Sequence, residues 1–148
     1  MKALQLTVII LIALSFVPSG AHLIELPNKI TLDREAYFTV QQIYRGWALF
    51  GIPLFAALST SLILAVLSRS EGLPFLYASA SFILVLVSLI TFFTWIFPAN
   101  QATENWTTIP ENWEALRRQW EYTHAVNAVM MLAALVSAIM SALTWTGE

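Results

Sequence analysis

The segment FPANQATENWTTIPENWEALRRQWEYTHAVNAVMM, residues 97–131, leads from the most polar part of the chain into its last long apolar run. It holds three of the six tryptophans of the chain, two adjacent arginines, one of the two histidines and four asparagines. Pro110 is followed by Glu111 and Glu114, and a proline with nearby acidic residues indicates a helix start. The segment therefore predicts a helix that begins near residue 110 in polar sequence and continues without a break into the apolar run.

The composition of the chain is that of a membrane protein. Its residues are 58% hydrophobic and 11% charged, with a mean hydropathy of +0.70, outside the range of ordinary soluble domains. Four apolar runs each reach the roughly 20 residues that cross a bilayer, and in lipid they should be helices. We expect an all-α fold, a single integral membrane domain over residues 1–148 built as a four-transmembrane-helix bundle, with the fourth helix extended beyond the membrane. The expected helices cover residues 4–24, 46–67, 74–97 and 110–145.

The N-terminal run and the orientation of the helices each allow two interpretations. Lys2, an apolar core and small residues up to Ala21 resemble a signal peptide, but we expect this run to remain as the first helix, ended by Pro27. The count of Lys and Arg places the two long loops in the cytoplasm by the positive-inside rule, whereas Lys2 favours the opposite orientation. We expect a multi-pass protein, located in the cell membrane if its source is bacterial.

Charge and cysteine content exclude two classes of site. The chain has no cysteine, which excludes disulfides, iron–sulfur clusters and thiolate metal sites. A net charge of -2 provides no basic stripe, so we expect no nucleic-acid partner. The partners that we expect are the lipid bilayer, an apolar small molecule or quinone-like ligand, and either further copies of the chain or a larger membrane complex.

Helical spacing connects the polar residues of the fourth helix into one stripe. Successive members are separated by 4, 3, 4, 3 and 4 residues, which places them on one helix face. The stripe consists of Trp113, Arg117, Trp120, His124, Asn127 and Met131. Since His124 and Asn127 lie one or two turns inside the bilayer, this face should point into the bundle. Glu114, Arg118 and Glu121 are expected on the neighbouring side, paired with each other or with water.

A second polar pair lies at the end of the first helix. His22 and Glu25 are three residues apart and would project together if that helix continues to Pro27. The only two histidines of the chain would then lie at similar depth, although they are distant in sequence. Four more polar residues can reach the same level: Gln41, Tyr44, Arg45 and Asn100.

Three segments resemble a known family. AHLIELPNKI, VQQIYRGW and PANQATENWTTIPENWEALRRQWEYTHAVNA are similar to segments of the anthrone-oxygenase-like family of small four-helix membrane proteins, most of which carry only an unknown-function label. The resemblance covers nearly the whole chain and implies oxidation of an anthrone to an anthraquinone. The positions that it marks are His22, Asn100, Trp106, Trp113, Arg117, Trp120 and His124.

Two chemical hypotheses fit these residues. Two histidines and a carboxylate match a non-haem iron site, with His22, Glu25 and His124 as ligands of iron or another metal, and a haem held by the two histidines is a variant. A cofactor-free site is the alternative: His124 acts as general base on a flat apolar substrate, while Arg117 and Asn100 stabilise the enolate oxygen. The residues expected to bind that substrate are Trp106, Trp113, Trp120, Asn127 and Tyr44.

Simpler interpretations stand beside both hypotheses. The tryptophans are typical of an interfacial aromatic belt, the arginines can extend to headgroups, and each histidine can join two helices by a hydrogen bond. A non-catalytic accessory subunit of a larger membrane complex is the alternative to an enzyme. The direction of the stripe separates them, because an inward stripe favours a ligand site and an outward stripe favours a partner.

Overall fold

The computed structural model describes residues 1–146, and every regular element in that range is helical. Four helical segments are long and apolar enough to cross a membrane: Lys2–Lys29, Trp47–Leu67, Leu73–Ala102 and Trp113–Leu143. The predicted all-α class with four membrane-spanning helices is therefore confirmed. The apolar side chains on the outside of these helices, such as Ile24, Ile52 and Leu76, are more than half exposed, which suits contact with lipid.

Within residues 1–146, six α-helices are joined by short 3-10 and π-helical segments. In chain order the α-helices are α1 Lys2–Lys29, α2 Arg34–Gln41, α3 Gly51–Leu67, α4 Leu73–Thr91, α5 Phe97–Ala102 and α6 Trp113–Leu143. The 3-10 helices Gln42–Tyr44 and Trp47–Phe50 lead from α2 into α3, and a π-helix, Phe92–Ile96, joins α4 to α5. Gly46, with φ of 89°, makes the left-handed turn between the two 3-10 helices, a conformation that glycine adopts without steric cost.

The four long helices pack as a ring in which α1 contacts α3 and α6, and α4 contacts the same two helices. Small residues at the contacts, including Ala57, Ala78 and Ala134, are fully buried and let the helix backbones approach closely. Hydroxyl groups add bonds between α4 and α6, where Ser81 Oγ donates to the Ala134 carbonyl at 2.9 Å and Ser141 Oγ donates to the Pro74 carbonyl at 2.9 Å. The centre of the bundle is therefore apolar but not free of hydrogen bonds.

Helix α1 extends past the boundary predicted for it. It ends at Lys29 instead of residue 24, and Pro27 lies inside the helix rather than ending it. Lys29 is buried and its Nζ lies 3.0 Å from Glu121 Oε1 of α6, so a tertiary ion pair holds the last turn in place. The prediction was wrong because it weighed only the local effect of the proline, which costs one backbone hydrogen bond.

The third and fourth spans also differ from their predicted limits. The third continues beyond residue 97 to Ala102, because the π-helical turn Phe92–Ile96 carries the chain into α5, where Pro98 occupies one of the first helical positions. Helix α6 begins at Trp113 rather than residue 110, and the Trp113 amide donates to the Pro110 carbonyl in the preceding turn at 3.1 Å. From Trp113 the helix is unbroken to Leu143. The predicted continuation of this helix from polar sequence into the apolar run is therefore confirmed.

Candidate functional site

The stripe along α6 faces the inside of the bundle at the end that carries the long loops. Four of its members are buried, with Trp120 4% exposed and Met131 2% exposed, while Trp113 and His124 are partly buried. The other two buried members are Arg117 and Asn127. Around this end of α6 pack the last turns of α1, helix α2 and the two 3-10 helices, and we refer to the cluster formed by these elements as the collar.

The two histidines are in direct contact in the collar. The ring centroids of His22 and His124 lie 4.2 Å apart, although the residues are on different helices. His22 is only 3% exposed, whereas His124 retains partial accessibility. Aromatic rings enclose the pair. The ring centroid of Trp120 lies 4.3 Å from that of His124 and 4.6 Å from that of His22. The ring centroids of Tyr44 and Trp47 lie 4.5 and 5.6 Å from that of His22.

Glu25 continues the histidine pair towards the surface. Its Oε2 lies 3.7 Å from His22 Nδ1, a buried nitrogen that has no hydrogen-bond partner among residues 1–146. The Glu25 side chain is 34% exposed and accepts a short hydrogen bond from the Tyr44 hydroxyl. The three groups His124, His22 and Glu25 therefore form a row with a buried middle and two accessible ends.

A buried charged network lies next to this row and was not predicted. Lys29 Nζ lies 3.0 Å from Glu121 Oε1 and donates to the Tyr44 hydroxyl at 2.9 Å. The Tyr37 hydroxyl donates to the same Glu121 oxygen at 2.9 Å and accepts from Gln41 Nε2 at 2.7 Å. The network thus connects α1, α2, the first 3-10 helix and α6 through side chains alone.

The position predicted for Glu121 was wrong. It was expected on the neighbouring side of α6, paired with its helix neighbours or with water, but its side chain is 0% exposed and its partners belong to α1 and α2. Glu121 follows Trp120 directly and lies four residues after Arg117, so it occupies the edge of the inward stripe. That spacing could have indicated burial, whereas the identity of its partner Lys29 depends on how α1 and α6 pack.

The two tyrosines of the network remain protonated. Burial raises the pKa of Tyr37 well above its usual range, and the nearby Glu121 carboxylate adds to the effect. Burial raises the pKa of Tyr44 in the same way, together with the hydrogen bond to Glu25. Both hydroxyls therefore act as hydrogen-bond donors to carboxylates, as the hydrogen bonds of the network require.

Arg117 contacts the protein rather than the histidine pair. Its guanidinium donates to the Leu32 carbonyl at 2.7 Å and lies over the Trp113 and Tyr37 rings, 4.7 and 5.4 Å from their centroids. These contacts hold the chain just before α2 against α6. The arrangement gives Arg117 a positioning role, because the Leu32 segment leads directly into the helix that carries Tyr37.

Asn100 orders two of the tryptophans. Its Oδ1 accepts hydrogen bonds from Trp106 Nε1 at 3.1 Å and from Trp120 Nε1 at 2.8 Å. Trp106 ends a run of three non-glycine residues with positive φ, at 49°, 57° and 65°, a conformation that costs backbone energy. Gln42 Nε2 and Thr103 Oγ1 also bond to the backbone of Trp106, so several contacts hold this strained turn.

The residues expected to bind a substrate are distributed unevenly around the pair. Trp120 and Tyr44 contact His22, whereas Trp106 and Trp113 pack on Tyr37 and Phe38 in an aromatic core above it. Asn127 lies deeper, where its Nδ2 donates to the Ser88 carbonyl at 3.3 Å. Sequence reasoning missed Trp47, which is partly buried against His22 and Tyr44. Its signal was a tryptophan at the start of the second span, three residues after Tyr44.

The donor set of the row fits a metal poorly. Among residues 1–146 no group of three or more histidine, aspartate or glutamate side chains is placed to hold a metal ion. Lys29 Nζ lies 3.8 Å from Glu25 Oε2, so the carboxylate already has a cation beside it. A haem between the two imidazoles would require a porphyrin plane between rings that are in contact.

Comparisons with known proteins found no relative: no family model, no curated protein and no solved structure matches the chain.

Proposed function

We propose that this integral membrane protein oxidises a flat, apolar, weakly acidic aromatic substrate of the anthrone or quinol type with dioxygen, without a bound metal. The observation that supports it is the row formed by His124, His22 and Glu25, buried in its middle and accessible at both ends. The resemblance of the surrounding segments to the anthrone-oxygenase-like family suggests the same chemistry and belongs to the proposal.

His124 is the group that meets the substrate. It lies on the part of α6 that passes into the apolar run, where an apolar aromatic molecule dissolved in the bilayer can approach, and it is the more accessible of the two histidines. The Trp120 ring, 4.3 Å away, offers an aromatic edge beside the imidazole. In the neutral state His124 has one ring nitrogen that accepts a proton, and a positioned general base contributes roughly 10²–10⁴ in rate.

The proton taken by His124 leaves through the other two members of the row. His22 receives it in the buried middle, and its Nδ1 is the atom that faces Glu25 at 3.7 Å. Glu25 passes the proton to water because its side chain is about one-third exposed. This route explains why a buried ring nitrogen is left without a fixed hydrogen bond, which would otherwise be an uncompensated cost.

Loss of the proton makes the substrate electron-rich enough to react with dioxygen. For an anthrone, the carbon opposite the ketone loses its two hydrogens and gains one oxygen atom, which gives the anthraquinone. The second oxygen atom of dioxygen leaves as water with those two hydrogens, so one anthrone and one dioxygen give one anthraquinone and one water. The four electrons lost by the substrate are the four that reduce dioxygen, and no other oxidant is needed.

Arg117 and Asn100 act in this proposal as positioning residues. Arg117 holds the Leu32 segment, and Asn100 holds the indole that packs on both histidines. Stabilisation of the enolate oxygen by these two groups, as expected from the sequence, would require them to leave their protein partners. We propose instead that Asn100 orients Trp120 and that Arg117 holds α2 in place.

The test measures dioxygen consumption and anthraquinone formation by the purified protein in detergent or nanodiscs. We expect His124→Ala to lower turnover about 100-fold or more, since it removes the general base. His22→Ala should lower it less and shift the pH profile, because proton transfer to Glu25 is interrupted. Val129→Ala is the matched control, since Val129 is on the same helix and is 61% exposed towards lipid.

Two results would contradict the proposal. Turnover and a pH profile that are unchanged in His124→Ala would remove the base from the mechanism. Stoichiometric iron or copper in the wild type, lost in both histidine variants, would replace the cofactor-free chemistry with the metal hypothesis. The inward direction of the stripe favours a ligand site over the accessory-subunit alternative, and a wild type without any turnover would reverse that preference.

A further inference from the structure

A groove runs along the outer face of α6, on the side away from the histidine pair. It has a volume of about 560 Å³ and lies between α6 and the end of the third span. The π-helix Phe92–Ile96 contributes its wall, and there the Trp95 carbonyl accepts a hydrogen bond from Gln119 Nε2 of α6 at 2.7 Å. This bond between the two helices fixes the loop-side end of the groove.

The chemistry along α6 changes in a defined order from the loop side inward. Glu114 comes first, followed one turn later by Arg118, with 3.8 Å between Glu114 Oε2 and Arg118 Nη1 and both side chains more than half exposed. Thr123 follows inside the groove, and the lining ends in the apolar Val126 and Met130. The order is thus carboxylate, guanidinium, hydroxyl, hydrocarbon.

Two threonines in the groove have hydroxyls with no partner. Thr91 and Thr123 line the groove and make no side-chain hydrogen bond within residues 1–146. Three threonines elsewhere in the spans behave differently, because each hydroxyl donates to a carbonyl of the preceding turn: Thr7, Thr60 and Thr94, at 2.9, 2.7 and 2.8 Å. In an apolar setting a free hydroxyl is costly, so a ligand with acceptor oxygens at this level would be stabilising.

We propose that the groove binds one phospholipid whose headgroup carries a primary ammonium. The phosphate pairs with Arg118, the ammonium reaches Glu114, and the ester carbonyls accept from the hydroxyls of Thr91 and Thr123. An acyl chain then follows Val126 and Met130. The sequence of groups in such a lipid, from water inward, is ammonium, phosphate, ester and hydrocarbon, which is complementary to the order along α6 group by group.

The dimensions of the groove agree with this occupant. At about 1.5 Å per residue, Met130 lies roughly 18 Å below Arg118, close to the ~15 Å of hydrocarbon in one leaflet plus the ester level. Trp95 and Tyr122, which line the same groove, are about half exposed and are the residue types enriched at the headgroup level. An anionic headgroup without an ammonium lacks the group that would reach Glu114 and should bind less well.

Competition between two lipids tests the proposal. The full chain, purified in detergent, is mixed with equal amounts of phosphatidylethanolamine and phosphatidylglycerol of identical acyl chains, and retained lipids are counted by native mass spectrometry. We expect one retained phosphatidylethanolamine, preferred about threefold to fivefold, the range of an exposed ion pair. Arg118→Gln should weaken retention of both lipids. Glu114→Gln should remove the preference for phosphatidylethanolamine. Thr123→Val should weaken retention of both lipids and leave that preference unchanged.

Arg34→Gln is the matched control, because Arg34 is an exposed arginine on α2 outside the groove. Equal retention of the two lipids, a preference for phosphatidylglycerol, or the same loss in Arg34→Gln as in Arg118→Gln would overturn the proposal. A lipid-free dimer would place a second copy of the chain in the groove and overturn it as well. Because the charged groups are exposed, helix content measured by circular dichroism should be unchanged in every variant.

Discussion

The two ends of the bundle are held together by different kinds of contact. Towards the short connection between α3 and α4, the helices join through alanines and through serine hydroxyls that donate to backbone carbonyls, as Ser81 does to Ala134. In the collar, side chains bond to side chains of distant elements, as Tyr37 does to Glu121 and Trp120 does to Asn100. One end therefore needs only small residues, whereas the other needs particular partners.

The difference follows from the surroundings of each end. Between helices in lipid no hydrophobic effect drives association, so close packing and occasional hydroxyl bonds are sufficient. The collar carries helix ends and loops in which charged groups become buried, and a buried charge must be paired to be tolerated. The collar is also where the histidine row lies, so the specific partners and the proposed chemistry share one location.

The largest effect is expected from breaking the buried ion pair of the collar. Glu121→Ala would remove the buried carboxylate 3.0 Å from the Lys29 ammonium, which would keep only the partly exposed Glu25 carboxylate at 3.8 Å, and Tyr37 would lose its acceptor. We expect the free energy of unfolding to fall by about 3 kcal/mol, the lower end of the usual cost of removing one partner of a buried ion pair, because Glu25 stays beside Lys29. Unfolding in mixed detergent micelles measures it.

An exposed ion pair on the same helix provides the control. Glu114→Ala removes the partner of Arg118, where both side chains are more than half exposed, and should change the free energy of unfolding by about 0.5 kcal/mol or less. The double variant Lys29→Met with Glu121→Leu should recover most of the loss, because it leaves no unpaired buried charge, and Glu25, which also loses its cation, is 34% exposed. Equal effects of Glu121→Ala and Glu114→Ala would show that the collar does not depend on its buried pair.

Much of this architecture could be predicted from the sequence, because it depends on local patterns. Four apolar runs of sufficient length predicted four spans, and the 3.6-residue period predicted that Trp120 and Asn127 share a face. The sequence placed the two histidines at similar depth, and His22 and His124 lie in contact on the neighbouring helices α1 and α6.

The remaining features depend on tertiary contacts that a sequence does not display. A first helix that ends by Pro27 would leave Lys29 in a loop, yet α1 continues to Lys29 and its packing on α6 buries that residue against Glu121. Helix α2 was not predicted, since its eight residues are too few to form a stable helix alone. Its position depends on the collar, where the Tyr37 hydroxyl bonds to Glu121. The groove on α6 is likewise lined by Trp95 of a π-helical turn that no pattern in the sequence indicates.

An intermediate effect is expected from Asn100, which is the single acceptor for two indoles. Asn100→Leu would leave Trp106 Nε1 and Trp120 Nε1 without that acceptor, at about 1–3 kcal/mol for each unsatisfied buried donor. We expect the free energy of unfolding to fall by about 2–3 kcal/mol, the lower end for two donors because both hydrogen bonds are only partly buried, with a change in tryptophan fluorescence.

The neighbouring residue gives a control for this variant. Gln101 is exposed, and Gln101→Ala should leave both stability and fluorescence unchanged. Turnover of Asn100→Leu should fall with Trp120 displaced, whereas the pH profile should keep its shape because the histidine row is intact. A fluorescence spectrum identical to the wild type would mean that the two indoles do not depend on Asn100 for their orientation.

The smallest effect is expected at the other end of the bundle, from Ser81→Ala. The variant removes one hydroxyl bond to the Ala134 carbonyl but leaves the small side chain that the helix contact needs. Bonds of this kind in membrane helices contribute about 0.6 kcal/mol on average, so the free energy of unfolding should fall by about that amount. Ser79→Ala is the control, because its hydroxyl makes no hydrogen bond within residues 1–146. A loss comparable with that of Glu121→Ala would mean that this end also depends on specific polar partners, and the contrast between the two ends would no longer hold.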